Sequence, residues 1–423
     1  MTQKTNILDN YTLTTSNSDL RLITIPDFES SYVYINLIGR VGRRAENNNE
    51  VGAAHFLEHL FFDGTTSRSS AYEINKFIEG VGGIKNGITS TEIVEYFAKV
   101  LPEYGELGFE YLSDIFLNSL LRNEDIEKEK KVIRQESLMK RDDPDALLYR
   151  TRLSNMYPKQ TIGRTIFDEE LNLKNIDRET LISYKDRVYN NENFVICVSG
   201  NISNEIATDL TNKYFSKFPK GRKSIFDVPS FSNERKIIHT QKNLKQAKLS
   251  IAFEGCESHT KEFVLLRLLN IILGSGFSSR LYERLRSKLH LVYSINCSRE
   301  SFSDTGFTHI TTFLDQDKIS QTINEIKSET EIFLKHGIND DELLRAKNIC
   351  LSNILFNMDT ASRRAYYYGE QIVLDRPMLN LSDHINLVKN ATKEDIQNIA
   401  HKVFTQKPII NIISSADPKI SWS

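Results

Sequence analysis

Cysteine is scarce in this chain and never paired: Cys197, Cys256, Cys297 and Cys350 stand singly, with no CxxC. That excludes a thiolate metal site and a disulfide frame, and fits reduced core thiols in a cytoplasmic protein. Long hydrophobic runs are also missing. Stretches such as FVLLRLLNIILG are broken by Arg267 and Asn270, short of the roughly 20 apolar residues that a membrane span requires. No charge of one sign dominates, since 54 Lys and Arg stand against 56 Asp and Glu. There is no basic surplus for nucleic acid and no acidic tail. The opening MTQKTNILDNYTLTTSNSDLRLI lacks a basic start followed by an apolar core, and its two Asp and single Arg are unlike a mitochondrial presequence. Histidine is rare as well: before residue 230 only His55 and His59 occur.

What is present divides into two echoing halves. At 423 residues the chain exceeds one ordinary core, so two domains of about 200 residues each are expected. SYVYINLIGR and AKLSIAFEGC both alternate as strands, with Gly39 and Gly255 at equivalent ends. NEDIEKEKKVI and NDDELLRAKNI begin matching helices at Asn123 and Asn339, with the same offset as the glycines, which points to a duplication. Strands are expected near 20–25, 31–41, 92–100 and 193–199, then near 247–254, 291–299 and 306–314. Helices are expected near 50–62, 70–80, 103–119, 124–141, 145–155 and 178–188, then near 261–273, 278–288, 318–335, 340–357 and 394–403. Strands and helices segregate rather than alternate, so the fold class is α+β. PKGRKSIFDVPSFSNER, with Pro219 and Pro229, reads as a linker. The expected division is therefore 1–218, a linker at 219–235, and 236–423.

The chemistry concentrates in AAHFLEHLFFDGT, residues 53–65. Four residues apart on a helix, His55 and His59 project together and can grip one cation, with Glu58 beside them. This is the inverted H-x-x-E-H arrangement: two zinc ligands and a catalytic carboxylate. A catalytic zinc takes three protein ligands. With no other histidine in this half, the third must be a carboxylate. Glu129 and Glu136, seven residues apart in EDIEKEKKVIRQESLMK, lie two turns along one side of a helix. They fall in an apolar stripe of Ile126, Val132, Ile133 and Met139, where a carboxylate needs a cation.

With GGIKNGITSTEIVEYFAKV, FVICVSGNIS and GFSSRLYERLRSKLHLVYSI added, essentially the whole chain resembles the pitrilysin/insulysin family of zinc peptidases, which includes the mitochondrial processing peptidase. The resemblance implies that His55, His59 and Glu136 hold one zinc per chain, that Glu58 is the general base, and that Glu129 orients the site. It implies that each half is an α/β sandwich and that the two halves form half of a clamshell. A uniform offset sets Ile271, Gly274 and Ser275 opposite the motif, so the distal half carries no metal. From that half the family supplies an Arg and a Tyr to the catalytic pocket, matching Arg286 and Tyr293. Chains of this size pair into a four-domain shell, so a homodimer, or a heterodimer with a related subunit, is implied. Asn86 matches the substrate-binding edge strand, although Gly87 stands where the family usually has Ala. The expected function is a zinc endopeptidase acting on unfolded peptides or precursor segments. The alternatives are a non-catalytic partner subunit and a maturation protease for one precursor.

Overall fold

The computed structural model describes residues 9–232, 234, 236–418 and 420. Positions 233 and 235 of the expected linker, and residues 1–8 of the opening segment, lie outside them. Eleven strands form two sheets among the described residues. The first contains β1 (Thr12–Thr15), β2 (Arg21–Pro26), β3 (Val33–Gly39), β4 (Ile84–Thr89), β5 (Val94–Val100) and β6 (Phe194–Gly200), in the order β1-β2-β6-β3-β5-β4. The second contains β7 (Lys236–Gln241), β8 (Ala247–Glu254), β9 (Val292–Ser301), β10 (Gly306–Leu314) and β11 (Ile409–Ser414), in the order β7-β11-β8-β10-β9. Without β1 the two orders coincide, down to one parallel pair in each, β2 with β6 and β7 with β11. The duplication is thus a shared topology, and the fold is α+β.

Every residue of β3 is buried, which an alternating strand cannot achieve with only one face covered. Two helices supply the cover. Gly108 in helix Gly105–Leu117 lies so close to Ile35 that an added Cβ would come 2.6 Å from its side chain. Gly369 in helix Ala361–Val373 presses likewise on Ile38 and Cys197. Ile35 and Ile38 differ in parity and so point to opposite faces. In the second sheet, Phe253 of β8 meets Phe404 at 5.5 Å between ring centroids. On the opposite face, Ala252 joins Leu153 and Met156 of helix Pro144–Met156 in one apolar cluster.

The covering helices are therefore exchanged along the sequence. Residues 140–163 belong to the compact unit of the second sheet, and 357–378 to that of the first. Between the two long stretches the chain passes from one unit to the other at Asp227/Val228, inside the expected linker. A single cut there would strip one face of each buried central strand, so no division into continuous halves describes the two units. The segment expected as a helix near 278–288 is π-helical over Tyr282–Lys288. Strands β1, β7 and β11, and helices Ile166–Asn172, Asn204–Tyr214, Ala361–Val373 and Leu381–Asn390, have no counterpart among the elements expected from the sequence. Among the described residues no helix is long and apolar enough to cross a membrane.

The exchanged helix also carries a titratable group. Burial, reinforced by Glu92 and Glu95, pushes the Glu370 carboxyl up from 4.5 to about 7. Its protonated form is favoured in the fold. The stability it contributes is complete below its ordinary value and is lost as pH rises through 7. Glu370→Gln is expected to leave Tm unchanged at pH 4 and to raise stability at pH 8 by about 1–2 kcal/mol, discounted for partial exposure. Thermal melts at the two pH values check this. An equal effect at both would refute it.

Candidate metal centre

Helix Ala53–Leu60 begins after Gly52, whose φ of 98° is left-handed and suits glycine. The first N–H groups of a helix need acceptors. Here the buried Glu46 carboxylate accepts from Gly52 and Ala54 at 3.1 and 3.0 Å. Burial, with the neighbouring Glu169, pushes Glu46 up to about 8. This turn sets His55 and His59 on one side, their rings 4.8 Å apart and nearly perpendicular.

Each ring is held at its Nδ1. His59 Nδ1 lies 2.8 Å from Glu129 Oε2, and His55 Nδ1 lies 2.7 Å from Glu169 Oε2. Both Nε2 atoms are left to face inward, the arrangement in which an outer carboxylate fixes the tautomer and orientation of a ligating imidazole. Glu136 completes the group, with Oε2 3.5 Å from His55 Nε2. Among the described residues His55, His59 and Glu136 are the one group of His, Cys, Asp and Glu side chains able to hold a metal. No two of their ligand atoms are more than 4.8 Å apart. Two imidazole nitrogens and one carboxylate oxygen, with a fourth position open, suit zinc at about 2 Å from each atom.

Glu169 carried no signal in the sequence. It sits in TIFDEE, where only the capping box of Thr165 and Asp168 marks a helix start, and nothing separates it from Glu170. In the fold it is 1% exposed and also accepts from Arg43 Nε. Burial works against its charge, but Arg43 and His55 override this and hold the carboxyl at about 2. The converse holds for His55. Burial opposes a charged ring, yet Glu169 raises its pKa above the usual value, so protons compete with a metal there. Glu169→Gln is expected to lower zinc affinity about 10–100-fold, measured by competition with a chromogenic chelator. Unchanged affinity would show that Arg43 and packing alone position His55.

Helix Asn123–Asp142 buries a different row from the expected apolar stripe. Its buried positions are Ile126, Glu129, Ile133 and Ser137, whereas Val132 and Met139 are 42% and 72% exposed. Only Glu129 lies in the buried row, at i+3 from Ile126. Glu136 is on the neighbouring strip with its side chain 37% exposed, as suits a ligand at the edge of an open site. The uniform offset also fails locally. The counterpart helix spans Lys261–Leu273, so Gly274 and Ser275 lie past its end, because the connection from β8 is shorter than that from β3.

Glu58 lies against the edge strand. A Cβ on Gly87 would come 2.7 Å from Glu58 Cγ and 3.0 Å from Phe62, so glycine here makes room for that carboxylate. Asn86, next to it on β4, is exposed and paired with Phe97 in register. Gly87→Val is expected to lower kcat about 10–100-fold by displacing Glu58 while zinc content stays the same. Zinc analysis beside steady-state kinetics checks it. In the second unit, Arg286 and Tyr293 come together, the guanidinium 5.6 Å from the ring centroid, with Tyr293 67% exposed.

Comparison with known proteins identifies the family. The family description "Insulinase (Peptidase family M16)" matches residues 21–170, and "Peptidase M16 inactive domain" matches residues 175–350. A Rickettsia felis protein described as an uncharacterized zinc protease is 31% identical over 97% of this chain and 98% of its own length. The chain belongs to peptidase family M16. A Bacillus subtilis member with the same description is 28% identical over 88% of this M16 chain and 90% of its own. Two crystal structures share the M16 fold with a TM-score of 0.88. A Helicobacter pylori protease is 19% identical over 96% of this chain and all of its own. A Pseudomonas fluorescens peptidase M16 inactive domain is 17% identical over 96% and 99%.

Proposed function

We propose that this M16 chain is a zinc-dependent endopeptidase, with His55, His59 and Glu136 as ligands to one zinc. The observation that carries this reading is the doubly anchored imidazole pair. Glu129 and Glu169 tie the two Nδ1 atoms, His55 Nε2 faces Glu136, and one ring nitrogen of each His lies within 4.8 Å of a Glu136 oxygen. Purely structural ion pairs would not also bring a partly exposed carboxylate within ligand distance of the same imidazole pair. Four free, buried cysteines fit the reducing cytoplasm.

Zinc, when bound, lowers the pKa of a water to about 7 and polarises the scissile carbonyl. Glu58 accepts a proton from the attacking water and passes one to the leaving nitrogen. The substrate adds as an extended strand to the edge of β4 that no strand pairs among the described residues, the other side being paired with β5. Backbone hydrogen bonds then bring affinity, and the face carrying Ile84, Asn86 and Ile88 meets alternate side chains. Unfolded peptides and precursor segments satisfy this geometry, whereas a folded chain does not.

Following the family resemblance, the Tyr293 phenol stabilises the carbonyl oxygen as charge develops, and Arg286 holds a neighbouring substrate carbonyl. In a homodimer this pair serves the metal centre of the partner chain. Mixing inactive Glu58→Gln with inactive Tyr293→Phe is expected to restore part of the activity on subunit exchange. No recovery in verified mixed dimers would refute the shared site. The endopeptidase reading itself is tested by zinc analysis and hydrolysis of a quenched unfolded peptide. A zinc-loaded chain that never cleaves it would be a non-catalytic subunit.

A further inference from the structure

A cavity of about 450 Å³ lies in the first unit, walled by helices Gly105–Leu117, Arg178–Val188 and Asn204–Tyr214. Its size is that of small-molecule sites, and none of the metal-centre residues lines it. Four cationic side chains do, and two are already committed. Arg68 is paired with Glu110 and Asp114, and Lys213 lies 2.5 Å from Glu106. Lys185 and Lys217 have no carboxylate within ion-pair distance among the described residues. Lys217 sits exposed at the mouth, where water serves it.

Lys185 is different. Burial pulls its ammonium below the usual lysine value, and Asp186, next in the chain, offsets only part of this. The remaining support is the Phe61 ring, with its centroid 6.0 Å from Nζ, at the outer limit of a useful cation–π contact. Lys185 is half-buried, and a partly desolvated ammonium without a counter-ion carries a cost that a paired one largely offsets. Glu110 and Asp114 also face this space, but Arg68 engages both, and Thr65 and Asn118 also donate to Asp114.

We infer that this cavity binds a small ligand through one oxyanion, phosphate or carboxylate, which acts as counter-ion to Lys185, with Lys217 as a second contact at the mouth. The Ser67 hydroxyl on the wall makes no hydrogen bond within the described residues and is available to the same oxyanion. The cavity exceeds the volume of an inorganic ion, so the natural ligand carries a larger body, and simple anions report only its charged end.

The test is calorimetric titration of the zinc-loaded full chain at constant ionic strength, with inorganic phosphate in one arm and benzoate in the other. Saturable binding of either is expected, and the arm that binds more tightly names the source of the oxyanion. Lys185→Met should weaken that binding at least about tenfold, the worth of one charge-assisted hydrogen bond, whereas Lys185→Arg should stay within about threefold. Unchanged zinc content shows that each variant is folded. Phosphate held by the metal would survive Lys185→Met and is distinguished in that way. Binding by Lys185→Met as tight as the parent's, or no saturable binding of either anion, overturns the inference.

Discussion

Glu58→Gln is expected to keep one zinc per chain and to lose peptide hydrolysis by about 10³-fold or more. The substitution preserves shape, so the space beside Gly87 stays filled and the imidazoles keep their Nδ1 partners, since Glu58 is neither of them. What disappears is a group able to take and return a proton beside the reacting carbonyl. General-base assistance is worth about 10²–10⁴ in rate, and a loss near the upper end follows when one carboxylate handles both transfers. Zinc by elemental analysis and turnover of a quenched peptide together check it. Retained turnover would remove Glu58 from the chemistry, and lost zinc would make it a ligand.

The second large effect is at Glu136. Glu136→Gln is expected to weaken zinc binding well beyond the ~10–100-fold that loss of an outer carboxylate costs, because in the proposed centre it removes the one charged ligand of three. Its 37% exposure and place off the buried row mean that the fold tolerates the change, so Tm without metal should stay near the parent value. Direct zinc titration and a melt of the stripped protein separate the two consequences. A variant that binds zinc as the parent does would return the third-ligand role to Glu129, the other carboxylate in that helix.

These effects differ from those at Glu169 and Gly87 in a physically informative way. Glu169 acts through His55, and Gly87 acts by leaving room for Glu58, so each shifts a ligand or base rather than removing one. Zinc affinity falling without loss of turnover at saturating metal marks the first. Turnover falling at constant zinc content marks the second.

Much of the centre was legible in the chain because its information is local. A four-residue spacing puts two imidazoles on one helical face whatever surrounds the helix. Seven residues separate Glu129 and Glu136 by two turns. Which of those carboxylates meets an Nδ1 and which faces His55 Nε2 was not local. Val132 and Met139 looked like core by composition and are exposed, since the helix rotates its Ile126–Glu129–Ile133–Ser137 row inward. The 216-residue echo between Gly39 and Gly255 reported the duplicated strands faithfully. It slipped at Gly274 and Ser275, because a shorter loop breaks a constant offset without altering topology.

By itself the sequence determined the charge balance, the unpaired thiols, the alternation of most strands and the H-x-x-E-H turn, all properties of residues near one another in the chain. Only the tertiary structure decided that Glu169 closes the second histidine–carboxylate pair, that Gly87 clears space for Glu58, and that helices Pro144–Met156 and Ala361–Val373 cover the sheet of the other half. The reason is burial. A fully covered central strand or a desolvated imidazole requires a partner, but the requirement is met by whichever segment the whole fold brings within reach.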